Sequence, residues 1–216
     1  MTNWDERFRD GDYPSDPDPS PVLTGYIDAI PDGRALDVAT GTGRNSVFLG
    51  TAGYTVDAID RSRVGLAKAR ENAVEQNVQH RINWIQADVD TYGFPIERYD
   101  LVTISFFRAI DRLTDIREAI APGGYLFVQH HLRSTDSTPS GPSDDRYRYG
   151  ANELLRASLG MTVLYYDEST RDQSGDKRRA NVTLLARNTS GPRQSYPRRW
   201  DETHDGSRDE PDSRHR

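Results

Sequence analysis

Between Arg34 and Val128 the chain alternates short apolar runs with runs whose apolar residues recur at helical spacing. Leu36 to Ala39 and Tyr54 to Ile59 read as strands. Val64 to Asn77, with Leu66, Ala69 and Ala73 three and four residues apart, reads as a helix packed on one face. Strand and helix taking turns in this way predict βαβ units with right-handed crossovers, and therefore an α/β fold on a mostly parallel sheet. After Val128 a helix is expected over Ala151 to Ser158. Two strands follow at Met161 to Tyr166 and Ala180 to Ala186, joined by a turn containing Gly175.

The ends of the chain lack this pattern. Residues 10–21 are rich in Asp, Pro and Ser, so residues 1–21 are read as an extended N-terminal segment and a candidate lid. Beyond Asn188 the chain is Arg, Asp, Pro and Ser with almost nothing to bury, and residues 188–216 are expected to be a disordered tail. That leaves residues 22–187 as one domain. Residues 133–149 make a polar loop long enough to be either functional or disordered.

Composition narrows the chemistry. A net charge of −6 argues against a nucleic-acid partner, which would need a basic face to neutralise phosphates. No apolar run approaches the roughly 20 residues that cross a bilayer, and the first residues lack a signal-peptide pattern, so no membrane association and a cytoplasmic location are expected. Lys68 and Lys177 are the only lysines while aspartate is abundant, a balance similar to that of proteins from salt-accumulating organisms. Cysteine is absent, which excludes thiolate nucleophiles, thiol-based arsenic chemistry and iron–sulfur clusters. The five histidines, His80, His130, His131, His204 and His215, lack metal-ligand spacing, and no metal is expected.

The strand at Leu36 to Ala39 runs into a turn with Gly41 and Gly43, and a helix begins near Arg44. Two glycines let the backbone turn tightly and approach a ligand, while the helix offers its free N–H groups. The next strand ends in Asp60, where an acid can accept both hydroxyls of a ribose. A dinucleotide fingerprint would want a small third residue and finds Ser46, which is tolerable. Against it stands Asp37, four residues before Gly41, an acid that would repel a pyrophosphate but suits a cationic amino-acid ligand.

In these features the chain resembles the class I S-adenosylmethionine-dependent methyltransferases. Their first motif is an acid followed by a glycine-rich turn, as in Asp37-Val-Ala-Thr-Gly41-Thr-Gly43. Asp60 matches the ribose acid, Gln86-Ala-Asp88-Val89 the segment that brackets adenine, Tyr99 to Ser105 the fourth strand, and Ala121-Pro122-Gly123-Gly124-Tyr-Leu-Phe-Val128 the turn and fifth strand. Gly41-Thr-Gly43-Arg44-Asn45-Ser-Val-Phe-Leu and Trp4-Asp-Glu-Arg7-Phe resemble the TehB-like, tellurite-resistance branch. Ala39 and Thr40 depart from the family pattern, where Gly and Cys are more usual. The resemblance implies a single Rossmann-like domain: a mostly parallel seven-stranded sheet with an antiparallel last strand and helices on both faces. It also implies S-adenosylmethionine as cofactor, with Asp37, Ala39, Gly41, Gly43, Asp60, Arg61, Asp88, Val89 and Ser105 lining its site. Asp88 reads equally as a turn cap. Asp57 and Asp100 are assigned to the surface or a strand start.

For methyl transfer the protein mainly aligns the nucleophile and excludes water, so a general base is optional. The candidates are His130 and His131 at the end of the fifth strand, where alternation should turn only one ring into the cleft; a purely structural pair is the other reading. Phe106 and Phe107 are either pocket wall or core. Arg108, with Arg133 or Arg171 from flexible segments, is a candidate for an anionic acceptor. Ser105-Phe-Phe-Arg lacks the Asn/Asp-Pro-Pro-aromatic sequence of adenine and glutamine methyltransferases, which favours a small-molecule acceptor. Two other functions stay open. One is a non-catalytic binding or regulatory protein on the same scaffold. The other is a nicotinamide-dependent oxidoreductase, for which the chain lacks a Tyr-x-x-x-Lys pair. Oligomeric state is not legible.

Overall fold

The computed structural model describes residues 4–11, 13, 17–135, 141–172, 178–189 and 191–197. Its centre is a seven-stranded sheet of order β3-β2-β1-β4-β5-β7-β6. The strands are β1 (Arg34–Val38), β2 (Thr55–Asp60), β3 (Ile82–Gln86), β4 (Tyr99–Ser105), β5 (Ile120–His131), β6 (Thr162–Asp172) and β7 (Arg178–Arg187). Pairing is parallel from β3 through β5, and only β7 runs antiparallel, to β5 on one side and β6 on the other. The seven strands, their mainly parallel sense and the reversed last strand are as expected.

The helices are α1 (Trp4–Arg9), α2 (Pro21–Tyr26), α3 (Arg44–Thr51), α4 (Arg63–Glu75), α5 (Leu113–Glu118) and α6 (Glu153–Ala157). β1, β2 and β4 are buried along nearly their whole length. Strands covered by helices on both faces carry continuous apolar runs, which is why these were conspicuous in the sequence. Two cores result. One gathers Leu36, Val102, Ile104, Ile116, Leu126 and Leu184; the other, across the sheet, gathers Leu23, Ala35, Leu49, Val56, Leu101 and Phe127. Among the described residues no helix is long and apolar enough to cross a membrane.

Several expectations change. The N-terminal segment is not wholly extended, since Trp4–Arg9 is helical. β6 and β7 outrun their apolar stretches, because ladder pairing continues through Glu168, Ser169, Thr170 and Arg171 opposite Val182 to Arg179. The expected turn at Gly175 and the tail from residue 198 lie outside the described residues, as does part of the 133–149 loop. Its described portion, 141–149, returns to the sheet: Leu132 bridges Tyr149, and the buried Arg148 donates to the carbonyls of Leu132 and Pro142. Asp57 is not a surface residue. It is buried mid-strand and accepts hydrogen bonds from Arg34, Asn83 and Tyr99 at 2.9 to 3.2 Å, a network that ties β2 to β1, β3 and β4. Asp100 does sit at a strand start, accepting from the Arg34 N–H at 2.8 Å.

Candidate active site

The carboxyl ends of β1, β2, β4 and β5 lie along one edge of the sheet, the edge whose cleft binds ligands in open α/β sheets. Its floor is the turn after β1. Ala39 there has φ +55°, a left-handed conformation that explains why glycine is more usual at this position. Gly43 follows at φ +95°, and a side chain on it would lie 3.0 Å from Val47 and 3.1 Å from Ala69, so the helix could not sit this close to its neighbours. Thr40 fills the place of the more usual cysteine with a hydroxyl that donates to Asp37 at 2.6 Å and lies 2.7 Å from the Ser46 hydroxyl.

Asp37 is buried and surrounded by donors. Thr40 Oγ1, Thr103 Oγ1 at 2.8 Å, the Ser46 N–H at 3.0 Å and Asn45 Nδ2 at 3.3 Å converge on its carboxylate. Burial pushes its pKa up, while the hydroxyl, amide and N–H donors pull it down. The carboxylate therefore acts on a ligand through the turn and helix start that it holds in shape. Asn45 links the network to the next strand by donating to Ser105 Oγ at 3.0 Å. Its Oδ1 is buried and has no hydrogen-bond partner among the described residues. A buried orphan acceptor is costly unless a ligand satisfies it, and an ammonium group would do so.

Asp60 ends β2 within reach of this turn. One carboxylate oxygen accepts from the Gly41 N–H at 2.8 Å and the other from the Ser62 N–H at 2.7 Å. Burial raises its pKa, and the two N–H donors oppose the shift. Each oxygen keeps a further lone pair for a hydroxyl donor. Asp88 is half-exposed, accepts from the Asp90 N–H at 3.1 Å and lies 4.0 Å from Arg61, so it caps its own turn and still presents polar surface. Val89 beside it is buried. Together the residues fit an amino-acid nucleoside: a neutralising acceptor at Asn45, a tight glycine turn, an acid at Asp60, and a polar edge with an apolar wall at Asp88 and Val89.

On the other side of the cleft Phe106 leaves β4 at φ +58°, unusual for a bulky residue, with its N–H held at 2.8 Å by the Gln129 carbonyl. The guanidinium of Arg44 lies 5.2 Å from its ring centroid and that of Arg179 lies 5.8 Å away. Burial, and then the like charge of Arg179, lower the pKa of Arg44. Phe107 instead packs on the core. The two histidines separate as strand alternation requires. His131 lies 5.0 Å from the Phe106 ring, whereas His130 stands edge-on to Tyr149 at 5.4 Å. Both are buried. Burial pushes the pKa of His130 down to about 3 and that of His131 down to about 4, with the neighbouring His131 next in effect on His130 and the Arg179 cation next on His131. Neither ring nitrogen of His130, nor His131 Nδ1, nor the Tyr149 hydroxyl has a hydrogen-bond partner among the described residues.

Arg108 is engaged elsewhere. It pairs with Glu153 at 2.5 Å, donates to the Arg148 carbonyl at 3.2 Å and lies over the Tyr149 ring, so it fastens the 141–149 segment to α6. Sequence reasoning passed over Asn45, Arg44 and Arg179. The first two stand directly after Gly43, where the start of a helix beside a ligand turn was a usable signal; nothing local marks Arg179.

Residues 35–124 match the model of a methyltransferase domain. A ubiquinone/menaquinone biosynthesis C-methyltransferase, UbiE of Pseudomonas fluorescens, is 31% identical over 131 residues, covering 56% of this chain and 50% of that protein. The Haemophilus influenzae protein named "Probable S-adenosyl-L-methionine-dependent methyltransferase TehB" is 26% identical over 167 residues, 71% of this chain and 57% of its own length. The crystal structure of TehB from Haemophilus influenzae superposes with a TM-score of 0.64 at 21% identity, over 76% of this chain and 60% of that one. The chain thus spans about half the length of the curated relatives it matches. Residues 35–124 thus form a methyltransferase domain, and with an acid before a glycine turn, a second acid at the end of β2 and a seven-stranded sheet of this order the chain is similar to the class I S-adenosylmethionine-dependent methyltransferases and, among them, to TehB.

Proposed function

We propose that the protein methylates a small anionic acceptor, with S-adenosylmethionine as donor. The observation that carries this reading is Phe106 at the cleft edge, flanked by the guanidiniums of Arg44 and Arg179 and touched by His131. When bound, S-adenosylmethionine supplies a methyl group on a sulfonium, open to in-line displacement by a nucleophile's lone pair. The chain's own residues then have three tasks.

Asn45, the Gly41 to Gly43 turn, Asp60 and Asp88 hold the cofactor. Arg44 and Arg179 draw an anion to the cleft and keep an ionisable acceptor deprotonated, because two cations lower the pKa of an acid between them. Phe106 excludes water and offers its π face to positive charge. His131 is neutral at physiological pH but of low basicity, a poor match for a general base, which works best near the operating pH. The acceptor accordingly enters as a preformed anion, and alignment rather than proton abstraction carries the step. Oxyanions such as selenite or tellurite and small thiolates fit this chemistry.

The test is turnover. The purified chain with S-adenosylmethionine is offered selenite, tellurite and small thiols, and formation of S-adenosylhomocysteine is followed. Turnover of an anionic acceptor that falls sharply in Arg44→Ala supports the proposal. Cofactor binding without turnover of any acceptor would favour a binding or regulatory protein, and turnover confined to neutral acceptors would remove the anionic class.

A further inference from the structure

The cleft has a fourth side. α1 lies across α4 and the glycine turn, held by contacts to residues some sixty positions away in sequence. Asp5 Oδ1 accepts from Ser62 Oγ at 2.5 Å and from the Val64 N–H at 3.1 Å, so a side chain of α1 caps the amino end of α4 together with its own cap, Ser62. Those two donors hold the Asp5 carboxyl below its usual range, and it is ionised at neutral pH. Lys68 of α4 donates to the Phe8 carbonyl. Phe8 is buried against the turn: a side chain at Gly41 would lie 3.3 Å from its ring, and one at Gly65 would lie 3.0 Å both from that ring and from the Gly41 carbonyl. Gly65 therefore lets α4, Phe8 and the turn converge. Trp4 and Tyr13 continue the aromatic surface, with ring centroids 6.0 and 5.5 Å from Phe8, and Arg7 stacks on both.

We infer that α1 is a wall of the cofactor site, with Phe8 in contact with the bound nucleoside side of the turn and Asp5 as the positioning residue that latches it. The latch is joined to the ribose acid. Ser62, which donates its hydroxyl to Asp5, donates its N–H to Asp60, and Asp60 in turn holds the Gly41 N–H beneath Phe8. Asp5, Ser62, Asp60, Gly41 and Phe8 thus close a ring of contacts, so occupancy at Asp60 and the seating of α1 are felt by the same atoms. The inference rests on the cofactor reading above and extends it to the N-terminal helix.

The experiment measures release of S-adenosylhomocysteine from the full chain by stopped flow, with Trp4 emission as reporter and Trp4→Phe to assign the signal. Asp5→Asn removes the charge of the latch at nearly constant shape; Phe8→Ala removes the wall. Both should dissociate S-adenosylhomocysteine about fivefold faster or more, in line with the loss of a helix cap or a buried contact. Both variants should melt somewhat below the parent in the absence of ligand, and saturating S-adenosylhomocysteine should raise their midpoints less than it raises the parent's, a difference that a purely structural role would not produce. Parent-like release from both variants while the parent binds would overturn the wall and leave the cofactor reading intact. Failure of the parent to bind S-adenosylhomocysteine would overturn both.

Discussion

The two halves of the cleft are built on opposite principles. On the cofactor side, around β1 and β2, Asp37 takes four donors and Asp60 takes two, and Asn45 Oδ1 is the buried polar atom left over. On the proposed acceptor side, around β4 and β5, two guanidiniums crowd one ring. There His130, His131 and Tyr149 bury polar atoms with no partner among the described residues. A satisfied network rigidifies, whereas unpartnered groups and gathered like charges store free energy that a ligand can release. In the proposed function the β1–β2 half is preorganised for the cofactor, and the β4–β5 half is poised for an acceptor.

The largest expected effect is on the satisfied half. Asp37→Ala leaves the Thr103 hydroxyl and the Ser46 N–H without their acceptor inside the core, and Thr40 and Asn45 with one partner fewer, and should cost several kcal/mol, roughly 1 to 3 for each buried group left unmade. Urea unfolding should show a large fall in midpoint, and a midpoint within error of the parent would mean that the network is not structural. Next comes the acceptor half. Arg44→Ala and Arg179→Ala should each lower kcat/KM by about 10- to 100-fold, the loss of a charged hydrogen bond, while calorimetry finds S-adenosylhomocysteine affinity unchanged. Equal losses in both measurements would erase the division between the halves.

The histidines give an intermediate, pH-dependent effect. Their folded pKa values lie below the unfolded value of about 6.5, so below that pH the unfolded chain binds protons that the folded chain refuses. Their contribution is fully present above about pH 6.5 and shrinks as the pH falls toward about 4 for His131 and about 3 for His130. The slope should be about 1.4 kcal/mol per pH unit for each, and His130→Asn should flatten the stability-against-pH curve over this window. An unchanged slope would mean that His130 is hydrated and not desolvated. The smallest effect belongs to Ala39→Gly, which relieves a left-handed alanine and should raise stability by about 0.5 to 1 kcal/mol by thermal unfolding.

Legibility in sequence follows the same division. Asp37, Gly41, Gly43 and Asp60 lie on two consecutive strand ends, so one local pattern announces the turn, the acid and the sheet order around them. β4 falls at Tyr99–Ser105 as the resemblance implied, with Leu101, Val102 and Ile104 fully buried in it. The proposed acceptor half draws on Arg44, Phe106, His131 and Arg179, four residues from separate elements, and no local spacing relates them. Arg108 misled because an arginine after a strand looks the same whether it faces a ligand or Glu153. Asp57 misled because a buried acid is visible only through partners from three other elements, Arg34, Asn83 and Tyr99. α1 was hidden by its length, six residues among polar neighbours, and is held in place by distant contacts with α4.

The cofactor assignment is tested most directly by calorimetric titration of the parent and Asp60→Ala with S-adenosylhomocysteine and, in parallel, with NAD. The expected result is S-adenosylhomocysteine binding to the parent, about 10-fold or more weaker binding to the variant, as losing a charged hydrogen-bond partner implies, and no heat with NAD. Binding of NAD alone, or S-adenosylhomocysteine affinity equal in parent and variant, would contradict it.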